Sequence, residues 1–446
     1  MFKLHVIQAR FGDTLLLEFG TTNEPRYVLV DGGPPRNYAG ALRPALDAIV
    51  GVGGKLDLVI LSHVDNDHIV GLLELLADLE DDQVSARPLR NQIGQLWYNS
   101  FARTLDPSGD ISQGVQAMAA VASAANVAMP FAMDAFYGIK EGNHLRLLAR
   151  KLKVPTNSGF RDDLILVETA RKAVTFGPLA LTVVGPTKAN LRALQTEWLD
   201  WLARAAEKNV ADPSTATMVD RSIPNLSSIV LLATCQGKTI LLTGDARGDH
   251  ILTGLTTAKI AKQGKLHVDV LKVQHHGSAR NASRDFFQAV TADTYVVSAN
   301  GRDDNPDLDT LQWIVESARA RSRSSSRTRP RAAGSYRRNL ILRSIATRRK
   351  YCRQASTALR SHWPAEDGYV MRPREPGALR SARMLNSEQK DLRAILRLLA
   401  EFGTGDRPWE AGAAQRDFAA PSWNREVGQP VDGARLRPVS TRRAGQ

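Results

Sequence analysis

Apolar and polar positions alternate in short blocks along the first 320 residues. The runs LHVIQ, TLLLEF, RYVLVDGG and LDLVILSH are rich in Val, Ile and Leu, several end in Gly or Asp, and all predict strands. Ala41–Val50 and Ile69–Leu79 carry helical patterns, the second with Leu72, Leu73, Leu75 and Leu76, directly after a His/Asp cluster. A strand, a polar loop and a helix in succession predict an α/β fold, in which functional side chains gather at the carboxyl ends of strands.

Between about residues 80 and 222 the pattern is mixed and reads as an insertion. It contains the Leu96-Trp97-Tyr98 patch, an alanine-rich stretch, a strand at Leu179–Gly185 and a helix at Asn190–Ala206. Beyond Pro224, SSIVLLAT, KTILLTGD, VDVLKVQHHG and DTYVVSAN predict four strands in close succession. No fixed-period repeat is present, which argues against a solenoid. After about Ala320 the texture changes to RSRSSSRTRPRAAGSYRRN and strand-like patterning nearly vanishes, apart from a helix at Ser387–Phe402. Two segments are therefore expected, residues 1–320 as the folded domain and 321–446 as an Arg-rich, poorly structured tail.

Charge sharpens that division. The chain has 446 residues and a net charge of +13, which suggests an anionic partner. From Arg321 onward, however, 27 basic residues face 11 acidic ones, a net of +16, so the first 320 residues are slightly acidic. The tail reads either as a basic arm for nucleic acid or as sequence without evolved structure, such as an out-of-frame translation. The apolar content of 43% is ordinary for a globular protein and excludes disorder throughout.

Cys235 and Cys352 are too few for a disulfide framework or a cysteine-based zinc site, so any metal must be held by His and carboxylate. The N-terminus lacks the pattern of a secretory signal. The longest apolar candidate, Met118–Met133, is interrupted by Ser123, Asn126 and Pro130. A cytoplasmic protein without a membrane partner is expected.

The strongest chemical signal is Ser62-His63-Val64-Asp65-Asn66-Asp67-His68 after the strand LDLVIL. In an extended loop, alternate residues point to opposite sides, which would send His63 and Asp65 to one metal and Asp67 and His68 to another. Imidazole and carboxylate suit zinc, manganese or iron and leave positions for water. TILLTGD places Asp245 at a strand end, where a carboxylate can bridge two cations. In LKVQHHGS, adjacent histidines point apart, so one of His275 and His276 is expected as a ligand and the other as a supporting group or proton carrier. Ser278 follows as a donor to a substrate oxygen or as a helix cap. His144, beside Arg146, Arg150, Lys151 and Lys153, reads as a phosphate-binding or a solvated helix face. Asn300-Gly301-Arg302 with Asn305-Pro306-Asp307 is a substrate contact or a plain turn.

Taken together, Asp31-Gly32-Gly33, SHVDNDH, TGD and HHGS resemble the successive motifs of the metallo-β-lactamase superfamily over roughly residues 1–315. Asp65 where most members have His, NLSSIVLL before LLTGD, and LKVQHHGS after it are similar to the hydrolase domain of the ComEC-type competence proteins. The resemblance implies a four-layer αβ/βα sandwich with a dinuclear site. It would assign His63 and Asp65 to the first metal, Asp67 and His68 to the second, Asp245 as bridge and His275 as the completing ligand, with Asp31 supporting the ligand loop. Where many members place a third-motif histidine, this chain has Asn225, Ser227 and Ser228. Asp and Asn for His harden the site, so one or two divalent ions, zinc or manganese, are expected.

The function implied is a metal-dependent hydrolase in which an activated water attacks a phosphodiester, with nucleic acid as a candidate substrate and Asp67 or His276 relaying the proton. The alternatives are a hydrolase of a carboxylic ester, thioester or lactam, and a non-catalytic binding or effector protein that keeps the fold.

Overall fold

A computed structural model of the protein describes residues 1–100, 106, 112–114, 116, 130–170, 172–207, 227–301, 304–326, 339–343, 369–371 and 411–412. Asn225, Arg302, most of Met118–Met133 and the expected helix Ser387–Phe402 lie outside them.

The first sheet has the order β1 (Phe2–Val6), β2 (Leu15–Gly20), β3 (Pro25–Val30), β5 (Leu58–Ile60), β7 (Leu96–Trp97). Strands β1 to β3 form an antiparallel meander, and β5 and β7 add in parallel. A two-strand pair, β4 (Lys55–Leu56) and β6 (Gln92–Ile93), lies apart from it. The second sheet runs in sequence order from β8 (Val174–Phe176) through β9 (Leu179–Gly185), β10 (Val230–Cys235), β11 (Lys238–Leu242), β12 (Leu266–Lys272) and β13 (Val290–Ser298). It continues into β14 (Asn339–Arg343), β15 (Tyr369–Met371) and β16 (Ala411–Gly412), so three short strands from beyond Ala320 join this sheet. The helices are α1 (Arg43–Ile49), α2 (Asn66–Val84), α3 (Pro130–Lys151), α4 (Lys188–Glu207), α5 (Gly248–Thr257), α6 (Arg284–Ala289) and α7 (Leu308–Ser326). Helix α7 runs through Ala320.

Three apolar clusters explain why many strands read as unbroken hydrophobic runs. Leu15, Leu17 and Phe19 of β2 meet Leu231, Ala233 and Cys235 of β10 in a cluster shared by both sheets. Leu16 faces the other way, onto Leu42, Leu46, Leu72, Leu76 and Leu148 of the helical side. On the second sheet Leu232, Leu241 and Leu271 pack against Ile251, Leu255, Phe286 and Ile314. Strands covered on both faces need apolar residues at consecutive positions. Each fully buried leucine contributes roughly 1.5–3 kcal/mol, so these clusters hold the strand ends firmly in place.

Those ends matter for the chemistry. Asp31 follows β3, His63 follows β5, Asp245 follows β11, His275 follows β12, and Ser298 closes β13. Each sits at a strand's carboxyl end, the position where α/β sheets present functional residues. Among the described residues no helix is long and apolar enough to cross a membrane.

Candidate metal centre

Asp31 organises the first ligand loop. Its backbone lies in the left-handed region at φ 58°, and its carboxylate accepts from Ser62 N at 2.7 Å, Ser62 Oγ at 2.7 Å and His68 Nδ1 at 2.9 Å. Because the Ser62 hydroxyl hydrogen goes to Asp31, its oxygen accepts from His63 Nδ1, 3.0 Å away. One buried carboxylate thereby fixes two imidazoles.

The expected extended loop stops earlier than the sequence pattern suggests. Asp65 is extended, at φ −83° and ψ 149°, and caps α2, whose first turn already contains Asp67 and His68. The direction of these two side chains is therefore set by helical geometry. The positive end of the helix also favours an acidic residue at Asp67. Helix α2 approaches closely enough for Gly32 N to donate to His68 O at 2.8 Å and Gly71 N to Gly33 O at 3.0 Å.

The second half of the site comes from the other sheet. Gly244, at φ 51°, faces the side chains of Ser62 and Ser228, and Asp245 N donates to Ser228 Oγ at 3.2 Å. His275 and His276 both occupy the left-handed region, at φ 45° and 54°. This tight turn swings the two rings toward one carboxylate, whereas an extended chain would send them apart. His275 Nδ1 donates to Asn281 Oδ1 at 2.7 Å, while Asn281 Nδ2 donates to Asp245 O at 2.9 Å. His276 Nδ1 donates to the Ser298 carbonyl at 2.8 Å.

All four imidazoles are thus held through Nδ1, and all four present Nε2 to the same atom. Asp245 Oδ2 lies 4.0 Å from His63 Nε2, 3.5 Å from His68 Nε2, 3.8 Å from His275 Nε2 and 3.5 Å from His276 Nε2. Asp65 Oδ2 is 3.7 Å from His63 Nε2, and Asp67 Oδ2 is 3.1 Å from His276 Nε2 and 3.9 Å from His68 Nε2. Two donors held by one tetrahedral ion at 2.0–2.2 Å stand about 3.4 Å apart, so these separations fit shared ligation. His63 Nε2, His68 Nε2 and Asp245 Oδ1 are buried without a hydrogen-bond partner, an arrangement that costs free energy unless a cation satisfies it. His63–His68–Asp245 and Asp67–His68–His276 form groups whose ligand atoms lie within 4.8 Å of one another. The residues present fit divalent metal.

The electrostatics agree with that fit. Burial, reinforced by the neighbouring His68, pushes His63 down to about 3, leaving a neutral imidazole. Burial works in the same direction on His68 and His276, but carboxylates outweigh it. Asp245, Asp67 and Asp31 hold His68 well above its ordinary value, and Asp245, Asp67 and Asp13 raise His276 to about 9. Burial would raise Asp245, yet His276, His68 and His275 hold it well below the usual carboxylate range.

Residues 9–112 match the family model of the metallo-beta-lactamase superfamily. That superfamily consists mostly of hydrolases, and its members bind divalent metals. The matched span covers Asp13, Asp31 and the ligand loop through His68, and ends before Asp245, His275 and His276. No curated protein matches the chain.

Several neighbours of the site carry no signal of their own in the sequence. Asn281, Ser298 and Asp13 contact the candidate ligands, and Lys272 pairs with Asp13, through pairings that only the fold creates. The one hint is Gly12-Asp13, a Gly-Asp pair beside a strand like Gly244-Asp245. Ser278 Oγ accepts from Arg280 N at 3.4 Å, a local role within the turn. Asp307 braces the same turn: Ala279 N donates to Asp307 Oδ2 at 2.7 Å, and Asp307 N to Gly277 O at 3.1 Å. His144 lies on α3, away from these contacts, and Lys151 of that helix pairs with Glu80 at 2.6 Å.

Proposed function

We propose that the protein is a metal-dependent hydrolase of the four-layer metallo-β-lactamase type that binds two divalent ions and acts on phosphodiesters. The observation that carries the reading is the convergence of four Nδ1-anchored imidazoles on Asp245 Oδ2, at 3.5–4.0 Å. The three apolar clusters, one shared by the sheets and one on the helical side of each, support the layer order helix, sheet, sheet, helix.

In this reading Asp245 is shared. His63, Asp65 and His275 would hold the first ion, and Asp67, His68 and His276 the second. His275 then supplies the donor that a third-motif histidine provides elsewhere, and His276 joins the ligands, which leaves Asp67 as the proton-handling group. Five carboxylates, those of Asp13, Asp31, Asp65, Asp67 and Asp245, stand in this cluster, and Lys272 neutralises one of them. Four remaining negative charges suit two dications.

Bound ions of this kind supply Lewis acidity that lowers the pKa of water toward about 7 and neutralises charge developing on a phosphoryl oxygen. The chain's own residues orient and gate. His63, His68 and Asp245 form a buried floor, while Asp65, Asp67 and His275 are 28%, 25% and 21% exposed and make the rim where substrate enters. Asp67 Oδ2 and His276 Nε2, at hydrogen-bond distance, share a proton in the ion-free site; with His276 committed to the second ion, the uncoordinated carboxylate oxygen of Asp67 would be the group that relays a proton to the leaving group. The mixed imidazole and carboxylate ligand set supports manganese or zinc, and the ComEC-like wording of the motifs supports a phosphodiester. The buried thiol of Cys235 suits a reducing cytoplasm. The tail's net +16 suits nucleic acid as the natural substrate.

The test incubates the purified protein with manganese or zinc and a chromogenic bis-aryl phosphate, beside a β-lactam and a thioester. Turnover of the phosphodiester, abolished by chelator and restored by metal, is expected. Turnover of only the other two would overturn the substrate class, and no turnover with metal bound would favour a binding role.

A further inference from the structure

Asp13 and Lys272 form an ion pair at 2.6 Å, and both side chains are almost wholly buried, 2% and 1% exposed. Replacing such a pair by apolar residues is often neutral or stabilising, so stability alone gives little reason to build one. Its neighbours give a better one. Asp13 N donates to Asp67 O at 3.3 Å, and the preceding Gly12 O accepts from Ser298 Oγ at 2.7 Å across 286 residues of sequence. Ser298 is the residue whose carbonyl holds His276 Nδ1. Lys272, three residues before His275, also donates to Val273 O at 2.9 Å.

The Gly12-Asp13 loop therefore touches the helix that carries Asp67 and the strand ends that carry His276. Asp13 Oδ1 has no hydrogen-bond donor and stands 3.7 Å from His276 Nδ1. A carboxylate there stabilises the hydrogen on Nδ1 and leaves the Nε2 lone pair facing Asp67 and Asp245. With its other oxygen committed to an ammonium, Asp13 is a poor direct ligand. The opposite side of the site is tied by separate contacts: Ile229 N to Ser62 O at 2.9 Å, Asp245 N to Ser228 Oγ, and Asn281 to His275.

We infer that Asp13 and Lys272 are positioning residues that clasp the two halves of the site on the Asp67–His276 side and so secure the second ion. The inference rests on the two-ion reading above. It requires that loss of the pair weaken one ion selectively, because the His63 side has its own ties.

The experiment titrates chelator-treated full-length protein with Zn²⁺ and with Mn²⁺ against a competing indicator, and counts bound ions by mass spectrometry. The charge-neutral double variant Asp13→Asn/Lys272→Met avoids the unpaired buried charge that destabilises either single variant. Wild type is expected to bind two ions. The double variant should keep the first and lose at least about tenfold in affinity for the second, with an unchanged circular dichroism spectrum. Asn281→Ala should show the reverse selectivity, weakening the ion on the His63 side. A double variant that binds both ions as tightly as wild type, or loses both equally, overturns the clasp. Fewer than two ions on wild type overturns the two-ion reading itself, which separates the two failures.

Discussion

The carboxylate of Asp31 accepts from His68 Nδ1 at 2.9 Å while also accepting from the backbone and hydroxyl of Ser62. One residue thus sets the orientation of both His63 and His68. Asp31→Asn keeps the size of the side chain but turns one acceptor oxygen into a donor. Metal affinity should fall by about 10–100-fold, the usual cost of losing an outer partner of a ligating histidine. Isothermal titration with zinc checks this, and an unchanged affinity would show that the imidazoles hold their orientation without Asp31.

His63→Ala, His68→Ala and Asp245→Asn should each lower metal-dependent turnover by at least about a hundredfold and leave the fold largely intact. The reason differs among them. His63 and His68 lose a donor each, whereas the Asp245 change weakens the one atom that faces all four imidazoles. Steady-state kinetics beside circular dichroism separates loss of chemistry from loss of fold. Activity of Asp245→Asn within tenfold of wild type would require the ligand set to be redrawn.

How far the sequence reveals this site follows from what each residue contacts. The loop residues His63, Asp65, Asp67 and His68 stand out because four donors within six positions have few structural explanations. Asp245 and His275/His276 stand out because apolar strands point straight at them. The supporting groups are hidden, since Asn281 anchors His275 through a turn whose conformation no local pattern announces, and Ser298 O is a backbone atom. Lys272 sits within an apolar strand, and no local pattern announces that it meets Asp13 in the interior. Pattern reading also extended the ligand loop through His68, because a helix start at Asn66 without a side-chain cap leaves no sequence mark. The long apolar strands of both sheets are legible, whereas the short β7, β8 and β14 to β16 carry too few apolar residues to stand out, and the division of faces between three clusters needs the paired register.

Protonation should compete with metal. Asp245, Asp67 and Asp13 outweigh burial and raise His276 to about 9 from 6.5. In chelator-treated protein, a folded-state pKa above the unfolded value contributes stability that is fully present below pH 6.5 and is lost as pH rises through about 9. Metal must displace that proton, so affinity should rise over the same interval. Thermal unfolding of the chelated protein at about pH 6, 7.5 and 9 should show the decline, and His276→Gln should flatten it. A wild-type profile as flat as that of the variant would contradict the charge on His276.

Gly71→Ala pits helix propensity against packing. Alanine is favoured over glycine within a helix by roughly 1 kcal/mol. Here, however, a Cβ on Gly71 would fall inside contact distance of the Gly32 carbonyl, with Gly32 Cα and C close behind. Overpacking costs typically 1–3 kcal/mol, and a collision with backbone belongs at the upper end, so after the propensity gain the change should destabilise the protein by up to about 2 kcal/mol and shift α2 away from Asp31. Urea unfolding measures the sign, and a stabilised variant would mean that α2 is not pressed against this loop.

The last prediction concerns the chain beyond Ala320. All the ligand residues lie before Ser278, which by itself suggests that a chain ending at Ala320 keeps its chemistry. Yet β14 pairs with β13 from Thr294 to Ser298, and Ser298 holds His276 through its carbonyl. Ending the chain at Ala320 removes that neighbour and cuts α7, which runs to Ser326. Ending it at Gly412 keeps both. The shorter chain should melt several degrees lower and bind the ion on the His276 side more weakly, while the longer one should match the full protein on both counts. Differential scanning calorimetry and metal titration on the three lengths decide it. Equal melting and equal metal binding for the Ala320 chain would show that β13 needs no partner on that edge and that the site is complete within the first 320 residues.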